Sequence, residues 1–170
     1  MIRADIETII MASGGGPSLI VLRERSGASA TEAPLRTLSI QTGAFEAASI
    51  SQGIDGTELP RPITHELFLN VLSKLDVKIE RVEINRYDAP VFFSNVVLVH
   101  EADGGLSEVS VDARPSDALA LAVRANAPIY IEDDVMNRVG TVSARKREEA
   151  DEDELEQFDK FVQTLSPDDF

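Results

Sequence analysis

The stretch VDARPSDALALAVRANAPIYIE, residues 111–132, constrains the fold more than any other part of the chain. A segment that alternates polar and apolar residues runs into DALALAVRA, which is apolar on nearly every face of a helix and must therefore be covered on most sides. Pro115 suits the first helical turn, where its missing N–H is no loss. Asn126 suits a left-handed cap, and Ala127-Pro128 forces the chain back to an extended form. A strand, a helix of about three turns and a second strand imply a right-handed crossover, and hence a parallel strand pair. Three charged residues, Asp112, Arg114 and Asp117, stand at the mouth of this apolar helix.

The rest of the chain alternates more regularly. Residues 2–11 and 18–25 are rich in Ile, Leu and Val and flank SGGGPS, which predicts an antiparallel hairpin with a loop longer than two residues. LRTLSIQ (35–41) reads as a third strand, and Gly43 opens a short helix over AFEAASIS. QGIDGTELPRP (52–62) reads as loop. A helix then begins with Thr64 as N-cap and Glu66 in its first turn. Leu67, Phe68, Val71, Leu72 and Leu75 form its apolar face, and Asp76 ends it. Residues 77–86 alternate with one phase slip, the mark of a bulge. With 91–100 and 107–114 they predict an antiparallel meander, and one or two helical turns follow at 133–139. The expected fold class is α+β: a mixed, mainly antiparallel sheet with one parallel strand–helix–strand crossover and helices packed on it, over a body of residues 1–140.

Charge separates the body from its end. The net charge of the 170 residues is −14, and residues 148–170 hold ten acids and one lysine, leaving −5 for the remainder. Within an acidic tail, 141–170, Leu155, Phe158, Val162 and Leu165 make one helical stripe that can dock on the body or on a second subunit. A homo-oligomer, in the simplest case a dimer, is expected. Net acidity opposes tight binding of nucleic acid, and 5% aromatics with no Trp disfavour a stacking platform for single strands. The absence of cysteine removes disulfides, thiolate nucleophiles and zinc–thiolate sites, and fits a cytoplasmic protein. No apolar run approaches the ~20 residues that span a bilayer, and Asp5 and Glu7 break any signal-peptide core.

Three motifs occur in register: Gly43 with Glu46-Ala47, then Arg61-Pro62-Ile63-Thr64-His65, then Arg114-Pro115-Ser116-Asp117-Ala118 followed by Ala127-Pro128-Ile129. In these the chain resembles the bifunctional nuclease domain family over roughly residues 1–140. The resemblance implies an α+β domain with a mainly antiparallel sheet, and cleavage of both DNA and RNA. The chain departs from the family pattern in the strand before Gly43 and at Glu66, where an aspartate usually follows the histidine.

Phosphodiester hydrolysis needs an activated water, charge neutralisation on the phosphoryl oxygens and a proton for the leaving oxygen. Asp112 and Asp117 are candidate ligands for Mg²⁺ or Mn²⁺. Arg114 is a candidate phosphate clamp, joined by Arg61, the Ser116 hydroxyl and the amides of the helix start. His65 is a candidate general base or ligand, with Glu66 beside it. Plainer readings stand next to these. Ser116 and Asp117 are ordinary first-turn residues, Arg114 can simply pair with Asp112 or Asp117, and a histidine at a helix start is polar by default. His100 reads as a turn residue, and Glu132, Asp133 and Asp134 as helix-start charges. The sequence shows no Gly-rich phosphate loop, dinucleotide fingerprint or Ser-His-Asp order. Two functions follow: a metal-assisted nuclease of low sequence preference acting on DNA or RNA, or a non-enzymatic oligomeric scaffold or ligand-binding regulatory module. Convergence of Asp112, Arg114, Asp117, His65 and Glu66 on one pocket favours the first.

Overall fold

The computed structural model describes residues 1–12, 16–25, 35–57, 59–102 and 105–142. The expected tail helix lies outside the described residues. The expected hairpin is present: β1 (Ile2–Ile10) pairs antiparallel with β2 (Ser18–Glu24), and β2 with β3 (Arg36–Thr42). After Gly43, α1 (Ala44–Ile54) runs three residues further than expected, taking in Gln52, Gly53 and Ile54. Gly53 lies where α1 presses on the helix of the opening stretch. A Cβ there would stand 2.6 Å from Val123 Cγ2 and 2.7 Å from Arg124 Nη1, so glycine here serves close packing rather than a turn.

Next come α2 (Thr64–Lys74), β4 (Lys78–Asp88), β5 (Val91–Ala102) and β6 (Gly105–Ala113), and the three strands form the expected antiparallel meander. β4 slips register twice, at Ile79/Arg81 and Ile84/Arg86, where one bulge was expected. His100 is a strand residue opposite Ser107, not a turn residue, because β5 continues to Ala102. The chain ends with α3 (Pro115–Ala125), β7 (Ile129–Ile131), α4 (Asp133–Val139) and β8 (Thr141–Val142), the last paired with β3. Asn126 takes the left-handed cap, with φ of 52°. No helix among the described residues is long and apolar enough to cross a membrane.

One eight-stranded sheet results, in the order β6-β5-β4-β7-β1-β2-β3-β8. Its one parallel pair is β4 with β7. The crossover through α3 therefore carries the chain past β5 and β4 and inserts β7 between β4 and β1. Three residues of β7 join two antiparallel halves, with Ile129 opposite Val82 on one side and Ala4 on the other. Backbone bonds from Val82 N to Pro128 O and from Glu132 N to Ile84 O, each 2.9 Å, secure both its ends.

The core lies between sheet and helices, and α3 is its centre: Ser116, Ala118, Leu119, Ala120, Leu121 and Ala122 are all buried. Its alanines bring its backbone close to α1 and the sheet, as an all-apolar helix requires. α2 behaves differently. Thr64 is its first helical residue and Ile63 the cap, with Glu66 reaching back to accept the Ile63 N–H at 3.2 Å. Of the expected apolar face only Leu72 is buried; Leu67, Phe68, Val71 and Leu75 are 55%, 40%, 47% and 66% exposed. α2 sits beside α3 near the margin of the sheet, so one edge of its stripe meets the core and the rest faces outward.

This difference is measurable by urea unfolding. Leu119→Ala in the centre of α3 is expected to cost about 2–5 kcal/mol. Leu67→Ala is expected to cost within about 0.5 kcal/mol despite the same side-chain chemistry.

Candidate functional site

The amino end of α3 is held from two sides. Ser94, fully buried on β5, donates its hydroxyl to Ala113 O at 2.7 Å and pins the end of β6. Arg114 follows as the N-cap, in extended backbone, and Pro115 starts the helix. The Ala118 N–H returns to Arg114 O at 3.0 Å, which leaves the Ser116 and Asp117 amides without a partner among the described residues.

The side chains form one chain of contacts. Arg114 Nε donates to Asp117 Oδ2 at 2.7 Å and Nη2 to Oδ1 at 3.1 Å, a bidentate pair. Arg114 Nη1 reaches Glu46 Oε1 on α1 at 3.2 Å. Asp117 Oδ1 also faces His65 Nε2 at 3.4 Å, and His65 Nδ1 lies 3.1 Å from Ser49 Oγ on α1. The Arg114 hydrogen bonds hold the Asp117 carboxyl below its ordinary 3.8, against the opposing effect of burial, with His65 adding a smaller pull. Asp117 in turn raises the Arg114 guanidinium. An ionised Asp117 only accepts, so neutral His65 carries its proton on Nε2 and turns its Nδ1 lone pair to the Ser49 hydroxyl.

Clefts open on both sides of Arg114, which is itself 65% exposed. One, of about 550 Å³, is bordered by Gly43, Glu46, Arg114, Ser116, Phe92 and Thr141. The other, of about 530 Å³, runs between α2 and β6 with Phe68, Leu98 and Val111 on its walls and His65, Arg114 and Asp117 at its end. The cluster is thus internally ion-paired yet open to solvent. Of the five N–H donors of Arg114, three are engaged among the described residues, leaving two on an exposed guanidinium.

The structure brings Asp112, His65, Arg114 and Asp117 of the expected residues to the border of one cleft, the second, and places Glu66 and Arg61 outside it. Ser116 is buried at the base of the first cleft. Glu66 turns away to Ile63 N and to Arg124, at 3.8 Å, and borders a different cavity. Arg61 is exposed on the loop before α2. Asp112 lies at the rim of the second cleft, on a strand position that alternates away from Val111 and Ala113. Among the described residues no three His, Cys, Asp or Glu side chains are grouped to hold a metal ion.

Glu46 and Ser49 are the additions. A Ser–His–Asp succession, Ser49, His65, Asp117, exists in space although neither the spacing nor any local motif announced it. Glu46 stood inside a quoted motif, but its role appears only when α1 packs on α3.

A model of the bifunctional nuclease domain matches residues 20–144. The chain is also 32% identical over 157 residues to uncharacterised proteins from two strains of Mycobacterium tuberculosis, CDC 1551 / Oshkosh and ATCC 25618 / H37Rv, covering 89% of this chain and 87% of each relative.

The pairing of Asp117 has a pH signature. Its folded carboxyl titrates below an unfolded aspartate, so the pair adds stability above about pH 4 that is lost as pH falls through the lower folded value. In urea titrations from pH 7 down to pH 3, the advantage of the wild type over Asp117→Asn is expected to hold steady and then shrink below about pH 4.

Proposed function

The chain belongs to the bifunctional nuclease domain family, and from that premise we propose that it hydrolyses phosphodiester bonds of DNA and RNA, with little sequence preference, at the Arg114–Asp117–His65 cluster. One observation carries the reading: an exposed guanidinium, with two N–H donors unengaged among the described residues, stands at the start of a buried helix, beside a histidine held on both ring nitrogens. A phosphate seated there accepts from Arg114 and from the Ser116 and Asp117 amides, where the positive end of the helix dipole adds to the attraction. His65 takes a proton at Nδ1 from a water that displaces the Ser49 hydroxyl from that nitrogen and attacks phosphorus, the new P–O bond forming as the bond to the leaving oxygen breaks. Asp117 stabilises the resulting imidazolium through Nε2–H. The leaving oxygen then receives that proton.

Mg²⁺ or Mn²⁺ belongs to the proposal as an ion arriving on the substrate phosphate, the usual manner for Mg²⁺, with charge neutralisation as its contribution. Arg61, on the approach to α2, adds positive charge for the nucleic-acid backbone. Binding is expected to be weak and salt-sensitive, because the body is itself net acidic. The proposed setting is the cytoplasm.

A second reading, a non-enzymatic oligomeric scaffold or ligand-binding regulatory module, is favoured by the exposed apolar row on α2. Labelled DNA and RNA, incubated with Mg²⁺, with Mn²⁺ and with chelator, separate the two. The nuclease reading expects cleavage that falls about 10²–10³-fold in Arg114→Ala and about 10²–10⁴-fold in His65→Ala. Cleavage unchanged by both substitutions, or absent from the wild type in every condition, returns the protein to the scaffold reading.

A further inference from the structure

The cleft on the α1 side of Arg114 holds groups that the proposed reaction does not use. At one end is an aromatic pair, Tyr87 and Phe92, opposite each other on β4 and β5 with ring centroids 4.5 Å apart. Both pack against the core and border the cleft. At the other end lies Ser116, 8% exposed, which borders this cleft and not the one between α2 and β6. Its hydroxyl has no hydrogen-bond partner among the described residues and is not sealed in the core, so it opens on the cleft. A polar group so nearly buried costs stability unless a water or a ligand completes it. The two ends are close. Ala113, just before Arg114, pairs with Ser94, and Phe92 stands two residues from Ser94 on the same face of β5, roughly 7 Å along the strand.

We propose that this cleft seats one nucleotide, with its phosphate at Ser116 and Arg114 and its base against the Phe92–Tyr87 pair. The inference rests on the nuclease reading for phosphate as the anion, and deepens it by naming what lies beside that phosphate. At the polar end the Ser116 hydroxyl joins the Ser116 and Asp117 amides and the Arg114 donors that are unengaged among the described residues. The aromatic end accepts any base, because every base has a π-face, and this agrees with low sequence preference. The stretch of strand between the two ends leaves room for the sugar. Arg114 and Glu46 are the charged side chains on the border and pair with each other at 3.2 Å. Beyond the phosphate end the walls are therefore neutral, with Gln41 and Thr42 as hydrogen-bonding groups, which suits an uncharged base. A volume of about 550 Å³ takes one small ligand, so a base enters only when it is out of its duplex. Two rings cannot make a platform that tracks a long strand, but a single seat needs no more.

Calorimetric titration of the full-length protein tests this without any cleavage step. Adenosine 5′-monophosphate is expected to bind about tenfold or more tightly than ribose 5-phosphate or adenosine, since each of those lacks one half of the contacts. Phe92→Leu keeps an apolar side chain and removes the ring. It should weaken the nucleotide about tenfold and leave ribose 5-phosphate unchanged, which also shows that the variant is folded. Ser116→Ala should weaken the nucleotide and ribose 5-phosphate alike, by about fivefold. A nucleotide bound no more tightly than ribose 5-phosphate overturns the proposal, as does its failure to bind at millimolar concentration. Equal losses for both ligands in Phe92→Leu overturn it too, and make the aromatic pair only a brace for the β4–β5 hairpin. The expected binding pattern without cleavage of any strand sinks the nuclease reading alone. Cleavage with no contribution from the base sinks the seat alone.

Discussion

A helix buried on most sides cannot shift without disturbing the core, and α3 places that constraint on the whole molecule. Leu119 and the alanines around it fill the space between the sheet and α1, and Gly53 is the concession α1 makes to their approach. Because the body of α3 is fixed, its two ends are fixed as well. The carboxyl end delivers β7 between β4 and β1 and so unites two antiparallel halves into one sheet. The amino end presents Arg114, Asp117 and two amides without a partner among the described residues at a defined position between two clefts.

The electrostatics at that amino end are balanced rather than excessive. Arg114 faces two carboxylates, Glu46 and Asp117, and Asp117 shares its oxygens between a guanidinium and an imidazole. Such a group stays ionised and oriented without a ligand, and exposed donors remain on Arg114. A site of this kind needs little rearrangement to receive an anion, and its cost is the partial neutralisation of the charge it offers. That balance fits weak, salt-sensitive engagement of a polyanion better than tight capture.

At the margin of the same helix layer, α2 connects chemistry to surface. His65 in its first turn points into the cluster, whereas the apolar row further along points out of the body. One element therefore holds a candidate proton acceptor and an exposed apolar row.

Much of the fold is legible in local pattern. Alternation marks β4 and β6, unbroken apolarity marks α3 as central, and Asn126 with Pro128 marks where it stops, because backbone sterics and side-chain periodicity act over a few residues. The family motifs likewise single out Arg114, Asp117 and His65. Tertiary packing decided the rest. It selected β4 as the parallel partner of β7, extended α1 through a glycine that reads as a loop residue, and left most of the α2 stripe outside although its spacing looks like that of any core helix. It also brought Ser49 and Glu46 to His65 and Arg114, and turned Glu66 elsewhere. Periodicity determines which residues share a face; only the arrangement of distant segments determines what that face meets.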